Sequence, residues 1–246
     1  MNEQKMRLPP ELERLLLIFP PRGIESNQDA AARNIRFVHY TRADAAMNIL
    51  RAREVWMRQT LCMNDYSEIQ YGLTLLKTTY NSTAAGAHFQ NSLNKIHDGI
   101  TKTIEEQFNR WVPVFAIDTY LTCFSEHLDT EDMIGRLSMW RAYGNPTGIA
   151  LVINNAVLLD PAPGLNVYFS PVAYLRAEEF EAEFERVAAN ISREADFIRT
   201  QSRDILFGHV FNMFRFAIVC TKHPGFLKKE NGVWSIPQAT KNPLIL

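Results

Sequence analysis

Three cysteines, Cys62, Cys123 and Cys220, are too few and too deeply set in apolar runs to build a disulfide framework, which points to a reducing compartment. No run of apolar residues approaches the length of a membrane span, and the opening Met1-Asn2-Glu3-Gln4-Lys5 is not followed by the apolar core of a signal peptide. A cytoplasmic protein with no membrane partner is therefore expected. Glycine-rich loops are missing after the first apolar strand, which argues against Rossmann and P-loop domains. Net charge is lacking too: 26 basic residues against 27 acidic ones exclude whole-molecule attraction to nucleic acid. Nor is there an internal repeat, or an Asp-rich cluster of the kind a metal-dependent nuclease uses, apart from Asp65 with Glu68.

What the chain does have is a short apolar run, Arg36-Phe37-Val38-His39-Tyr40-Thr41, whose β-formers predict a strand. Thr41-Arg42-Ala43-Asp44 has the spacing of a capping box, so a helix should start there. That helix carries Ala46, Met47, Ile49 and Leu50 inward and closes at Arg51, Arg53 and Glu54 before a second strand at Val55-Trp56-Met57. His39 and Thr41 at the strand's mouth offer a ligand directional hydrogen bonds. The alternative is a half-buried histidine satisfied by backbone, with Thr41 acting only as a cap. Around this unit, arginines 33, 36, 42, 51, 53 and 58 face only Asp44 and Glu54, a local +4 that suits either an anionic ligand or a solvated helix face.

Prolines bracket a short helix between Pro9-Pro10 and Pro20-Pro21, and small polar residues from Ser26 to Ala32 read as a linker. Residues 1–35 are thus an N-terminal arm, expected to dock on the main body formed by 36–246. Asp65 and Glu68 fit a helix cap, with Ile69, Leu73, Leu75 and Leu76 on the buried face; a second helix follows from Phe89 through Leu93, Ile96, Ile100, Ile104 and Phe108 to Trp111, the two forming a hairpin. Val114 to Glu126 reads as one long strand, Trp140 and Tyr143 share a face of a short helix ending at Gly144-Asn145-Pro146, and Gly148–Ile153 and Asn166–Tyr174 are strands. One long helical stretch, Glu178 to Phe216, carries Phe180, Phe184, Val187, Ile191, Ile198 and Ile205 on a stripe; Phe216–Thr221 and Val233–Ile236 complete the strands, and 242–246 is an edge strand or a tail. Strands scattered among helices without regular alternation make the fold class α+β. A zinc set of Cys123, His127, Cys220 and His223 is disfavoured by its spacing, and the cysteines fit better as small packing residues.

Five blocks taken in order are His39-Tyr40-Thr41, Met63-Asn64-Asp65-x-x-Glu68, Cys123-Phe124-Ser125-Glu126, Trp140-x-x-Tyr143 with Gly148, and Lys222-His223-Pro224 through Glu230 to Trp234. Together they resemble the prokaryotic family called domain of unknown function two-nine-seven-one, over roughly residues 36–238. The first block also resembles the opening strand of ADP-ribosyltransferases. That resemblance implies a mixed sheet core of their kind, with an inserted helical hairpin and a long C-terminal helix. It implies NAD as substrate, with His39 binding the nicotinamide-side ribose, the Tyr40 backbone facing the nicotinamide amide and Thr41 supporting the pair. Trp56 and Tyr143 are stacking candidates, although Trp56 in its apolar run also fits core packing. Asn64, Asp65 and Ser125 join the cofactor-binding set; Asn64, Asp65 and Glu68 rank second, because helix capping already accounts for two of those three. Glu230 matches the catalytic glutamate of a late strand. The run Glu230-Asn231-Gly232-Val233-Trp234-Ser235 departs from the family's Glu-x-Glu-Trp-Arg pattern, so Glu126 and Glu68 stay open for that role. The implied activity is transfer of ADP-ribose to RNA, DNA or protein. The implied setting is a toxin of a toxin–antitoxin or antiphage system, with an antitoxin as partner. A catalytically inactive binding module of a defence or regulatory complex is the alternative.

Overall fold

In the computed structural model the described residues are 9–60, 66–144, 146–159, 169–226 and 233–235. The expected opening strand is β1 (Arg36–Arg42), and it lies inside a five-stranded sheet between β5 (Gly148–Ile153) and β4 (Cys123–His127). Beyond β4 come β9 (Val233–Ser235) and β6 (Ser170–Pro171), and every pairing in this sheet is antiparallel. Among the described residues a parallel pairing occurs only in the small ladder of β7 (Ala173–Tyr174) with β8 (Thr221–Lys222), while β2 (Arg58–Gln59) pairs antiparallel with β3 (Tyr120–Leu121). The α+β class stands, mostly helical with small sheets.

The helices are α1 (Pro10–Ile18), α2 (Pro21–Ala32), α3 (Ala43–Ala52), α4 (Tyr66–Ser82), α5 (Ala84–Asn94), α6 (Ile100–Asp118), α7 (Leu137–Tyr143), α8 (Asn155–Leu159), α9 (Ala177–Arg193), α10 (Ala195–Arg199) and α11 (Arg203–Cys220). Most of the apolar core lies among α4, α5, α6, α9 and α11, where Phe89, Leu93, Ile100, Ile191 and Leu206 are fully buried. Each such side chain contributes about 2–3 kcal/mol by leaving water. The helices approach closely: a Cβ on Gly72 of α4 would run into the Ile218 carbonyl of α11, so only glycine fits that crossing. No helix among the described residues is long and apolar enough to cross a membrane.

Several sequence expectations are corrected. Residues 26–32 are not a linker but the body of α2, started by Pro21 in its first turn, where proline suits the helix. The arm packs on the body: Leu15, Ile18 and Phe19 enter the helical core and Arg186 of α9 holds Glu25 at 2.9 Å. Gly99, at φ +67°, breaks the expected second hairpin helix into α5 and α6. The run from Val114 is not a strand at first. α6 continues to Asp118 because Phe108, Trp111 and Phe115 recur at helical spacing, with Trp111 against Phe115 and both Phe108 and Trp111 edge-on to Phe211, which outweighs β-propensity. The stretch 178–216 is three helices, with Ser202 capping α11 by accepting from the Ile205 N–H; Ile205 is then exposed, off the predicted stripe. Residues 216–220, expected as strand, end α11. Of the strand expected at 166–174, residues 170–171 and 173–174 are extended, and 160–168 lie outside the described residues, as do 236 and 242–246.

Candidate functional site

Alternation along β1 sends Phe37, His39 and Thr41 to one face of the sheet and Val38, Tyr40 and Arg42 to the other. Register extends this to the neighbours. Glu126 lies opposite Phe37 and so joins the His39 face, with Phe124 two residues back on the same strand; Ser125 lies opposite Val38 and joins the Tyr40 face. The ladder between β1 and β4 stops at Val38↔Ser125, whereas pairing with β5 continues to Arg42↔Gly148. His39 stands where the two strands part. Its Nδ1–H donates to the Cys123 carbonyl at 3.1 Å and its ring lies 5.6 Å from that of Phe124. Burial pushes the imidazole below its ordinary pKa, and the bond to Cys123, which favours the proton, only partly offsets this. The ring is therefore neutral near pH 7, with the tautomer fixed by that bond and Nε2 left as an acceptor with no protein partner among the described residues.

Thr41 is half-buried on the same face and is not the helix cap. Arg42 takes the N-cap position of α3 without a side-chain bond and pairs with Asp44 at 3.1 Å, because β1 runs one residue further than the capping-box spacing suggests. Met47 and Leu50 of α3 are exposed, not buried, and only Ala46 is fully covered. The second strand expected at 55–57 is absent: β2 begins at Arg58, and Val55 and Trp56 are 48% and 52% exposed. Met57 packs with Phe37, Phe124 and Leu158, which ties this segment to the His39 face. Trp56 is thus an exposed aromatic beside that face instead of a core residue.

Glu126 is a diagonal neighbour of His39, their backbones about 7–8 Å apart by sheet geometry, and its side chain is 25% exposed. Arg33 approaches it at 3.6 Å while holding Asp29 at 2.8 Å. The structure thus brings together His39, Thr41 and Glu126. It places Tyr40, Ser125 and Tyr143 elsewhere: Tyr40 and Ser125 point to the opposite face, and Tyr143, 45% exposed, ends α7, which packs there through Met139 and Trp140. Glu68 falls in the first turn of α4. Glu230, Asn64 and Asp65 lie outside the described residues.

The Tyr40 face holds a polar network that the sequence did not suggest. Tyr40 meets Trp140 edge-on at 4.8 Å, and its hydroxyl accepts from the Arg136 N–H at 2.9 Å. The Arg136 guanidinium donates to Glu131 at 2.9 and 3.1 Å and to the Glu126 carbonyl at 3.0 Å. Arg36 holds Asp129 at 2.7 Å and Asp132 at 2.8 Å, and His127 Nε2 meets Asp132 at 2.8 Å. Burial pushes the Glu131 carboxyl up, but Arg136 and the Leu128 N–H outweigh it and hold it below the usual range. Asp132 is held low chiefly by His127, then by Arg36. Ser125 Oγ and His127 Nδ1 are buried without a hydrogen-bond partner among the described residues, His127 Nδ1 lying 3.8 Å from the Glu131 carboxylate. Sealed in this way, they are inaccessible to a substrate, so the Ser-His-Asp composition does not make a triad. The zinc set is not assembled either: Cys220 packs in the helical core, His223 lies against Tyr71 at 5.2 Å, and His127 turns to Asp132.

Residues 139–231 match the family model described as a protein of unknown function, DUF2971. Neither a curated protein nor a solved structure matches the chain. The match covers less than half of the chain and a shorter span than the 36–238 expected; it takes in α7, β5 and the Lys222-His223-Pro224 block but not β1 or β4, which carry His39 and Glu126. It brings no activity with it.

Proposed function

We propose that the His39 face binds the nicotinamide-side ribose of NAD and that the protein is an ADP-ribosyltransferase modifying a macromolecule, nucleic acid or protein. With that goes an ADP-ribosyltransferase-like arrangement of the sheet core, α4 and α5 being the inserted hairpin and α11 the long C-terminal helix. The observation that supports this is the end of the β1–β4 ladder beside His39, with a neutral imidazole of fixed tautomer whose Nε2 has no partner among the described residues. A ribose hydroxyl donating to Nε2 is the interaction such a ring offers, with the Thr41 hydroxyl two residues on along the same face.

Transfer breaks the bond between ribose C1′ and the nicotinamide nitrogen, and the electron pair leaves with neutral nicotinamide. Positive charge develops on the ribose, the acceptor's oxygen or nitrogen closes on C1′, and the acceptor's proton passes to a base. A carboxylate at the cleft serves both needs, stabilising the charge and taking the proton. Glu126 is the described carboxylate on this face; Glu230 remains the match by resemblance. Arg33 beside Glu126 favours a second reading, binding without turnover, because the guanidinium at 3.6 Å occupies the carboxylate that would have to receive the acceptor's proton.

Labelled NAD incubated with the protein and total cell extract, followed by separate nuclease and protease digestion, decides between the two. Label on a macromolecule establishes transfer and names the acceptor class. Binding of a non-cleavable NAD analogue without transfer leaves the binding module. Neither binding nor transfer sinks both.

A further inference from the structure

Between Asp44 and Asp65 the chain carries Arg51, Arg53 and Arg58 against one acid, Glu54. Arg51, Arg53 and Arg58 are all exposed, and no described acid pairs with them, unlike Arg33, Arg36 and Arg42. Trp56 stands among them with half its surface open. Arg53 adds an independent sign. It closes α3 at φ +56°, a left-handed position where glycine is the cheaper residue, so a side chain is kept at a place where the backbone disfavours one. From Arg53 to Arg58 the chain spans at most about 17 Å, so these exposed cations and the indole lie within reach of one short strand, and Met57 anchors the segment to the His39 face.

The geometry points to this patch as a binding site for single-stranded nucleic acid, with the arginines on phosphates and Trp56 stacked on a base. Exposed cations interleaved with an exposed aromatic suit a strand that presents charge and π-faces alternately, whereas a duplex hides its base faces. It rests on the NAD proposal only in making this strand the acceptor of ADP-ribose; the binding itself stands apart.

The test uses the full chain without NAD. A fluorescein-labelled 12-nucleotide single strand, the matching duplex and heparin are titrated by anisotropy, and tryptophan emission is followed in parallel. The single strand is expected to bind with a log–log salt slope near −2, from three phosphate contacts at about 0.7 each, and to quench Trp56. Arg51→Ala, Arg58→Ala and Arg53→Gly, the last keeping the left-handed turn, should each reduce the slope by about 0.7. Trp56→Ala should weaken binding about 10- to 100-fold, with most of it recovered in Trp56→Phe. No binding of the single strand overturns the inference. So does equal binding of duplex and heparin that Trp56→Ala leaves unchanged, which marks a generic polyanion surface. Loss here with an intact NAD response refutes this site alone, and the converse refutes the NAD proposal alone.

Discussion

His39 makes one bond within the protein and, by the proposal, another to the ligand, through different ring nitrogens, and two isosteric substitutions separate them. Asparagine places its amide nitrogen near the position of Nδ1, so His39→Asn keeps a donor for the Cys123 carbonyl, 3.1 Å away in the native protein, and deletes Nε2. Glutamine reaches the position of Nε2 and abandons Nδ1, so His39→Gln does the reverse. Losing the Cys123 bond costs about 1–2 kcal/mol. In a chain of this size each kcal/mol moves the melting temperature by about 2–4 °C, so His39→Gln should melt roughly 2–8 °C lower, and His39→Asn close to the native protein.

Ligand response should divide the other way. A non-cleavable NAD analogue at about 100 times its Kd stabilises the fold by roughly 2.7 kcal/mol, a shift of about 5–10 °C. Differential scanning fluorimetry with and without the analogue reads both effects in one experiment. The expected result is a full shift in the native protein, most of it lost in His39→Asn despite a near-native melting temperature, and part of it kept in His39→Gln despite a lower one. A full shift in His39→Asn would refute the ribose contact. No shift in the native protein would refute the NAD assignment outright.

Glu126→Gln should leave the melting temperature within a few degrees and lower transfer of ADP-ribose by about 10²- to 10³-fold, measured as label incorporated per minute; unchanged transfer moves the role to Glu230. Arg136→Met removes two bonds to a Glu131 carboxylate whose side chain is only 16% exposed, and after allowance for that residual exposure it should cost about 2–3 kcal/mol by urea unfolding. Adding Glu131→Gln to it should recover part of the loss; no recovery means that the charge pair is not the cause. Acid should act in two steps. Burial holds His209 and His39 below their ordinary value of 6.5, so the stability that they contribute is present above that pH and lost as pH falls below it. Glu131 and Asp132 are held below 4.5 and 3.8, so their contribution is lost only on further acidification. His209→Phe should flatten melting temperature between pH 7.5 and 5.5 and leave the lower step in place.

The β-formers Phe37, Val38 and Tyr40 made β1 legible from sequence, and the shared face of His39 and Thr41 follows from the strand once it is placed. The arginine excess around Arg51 to Arg58 was legible as charge. Trp56 was not, because apolar neighbours look alike whether they pack inward or lie along a surface, and only Met57 of that trio is anchored. The last turns of α6 were hidden by β-formers after Val114, since propensity is local and the contacts of Trp111 with Phe115 and with Phe211 are not. The network on the Tyr40 face was hidden for a related reason. Arg136, Glu131, Asp132 and His127 are close in sequence, but Arg36 reaches them from across the sheet, and His127 drew attention only as a zinc ligand.

That network bears on the His39 face through the register of β1. A slip of one residue would exchange the two faces, putting Tyr40 where His39 stands. Such a slip would remove the Tyr40 hydroxyl from the Arg136 N–H, Arg36 from both aspartates and the Tyr40 ring from Trp140, each a separate loss on the side away from the proposed site. The groups left over on the two faces differ in the same sense. Ser125 Oγ and His127 Nδ1 are buried, whereas His39 is half-buried where the β1–β4 ladder ends. One face of β1 thus fixes the strand, while on the other Phe37 is packed with Phe124 and Leu158 and the His39 end is only half-buried.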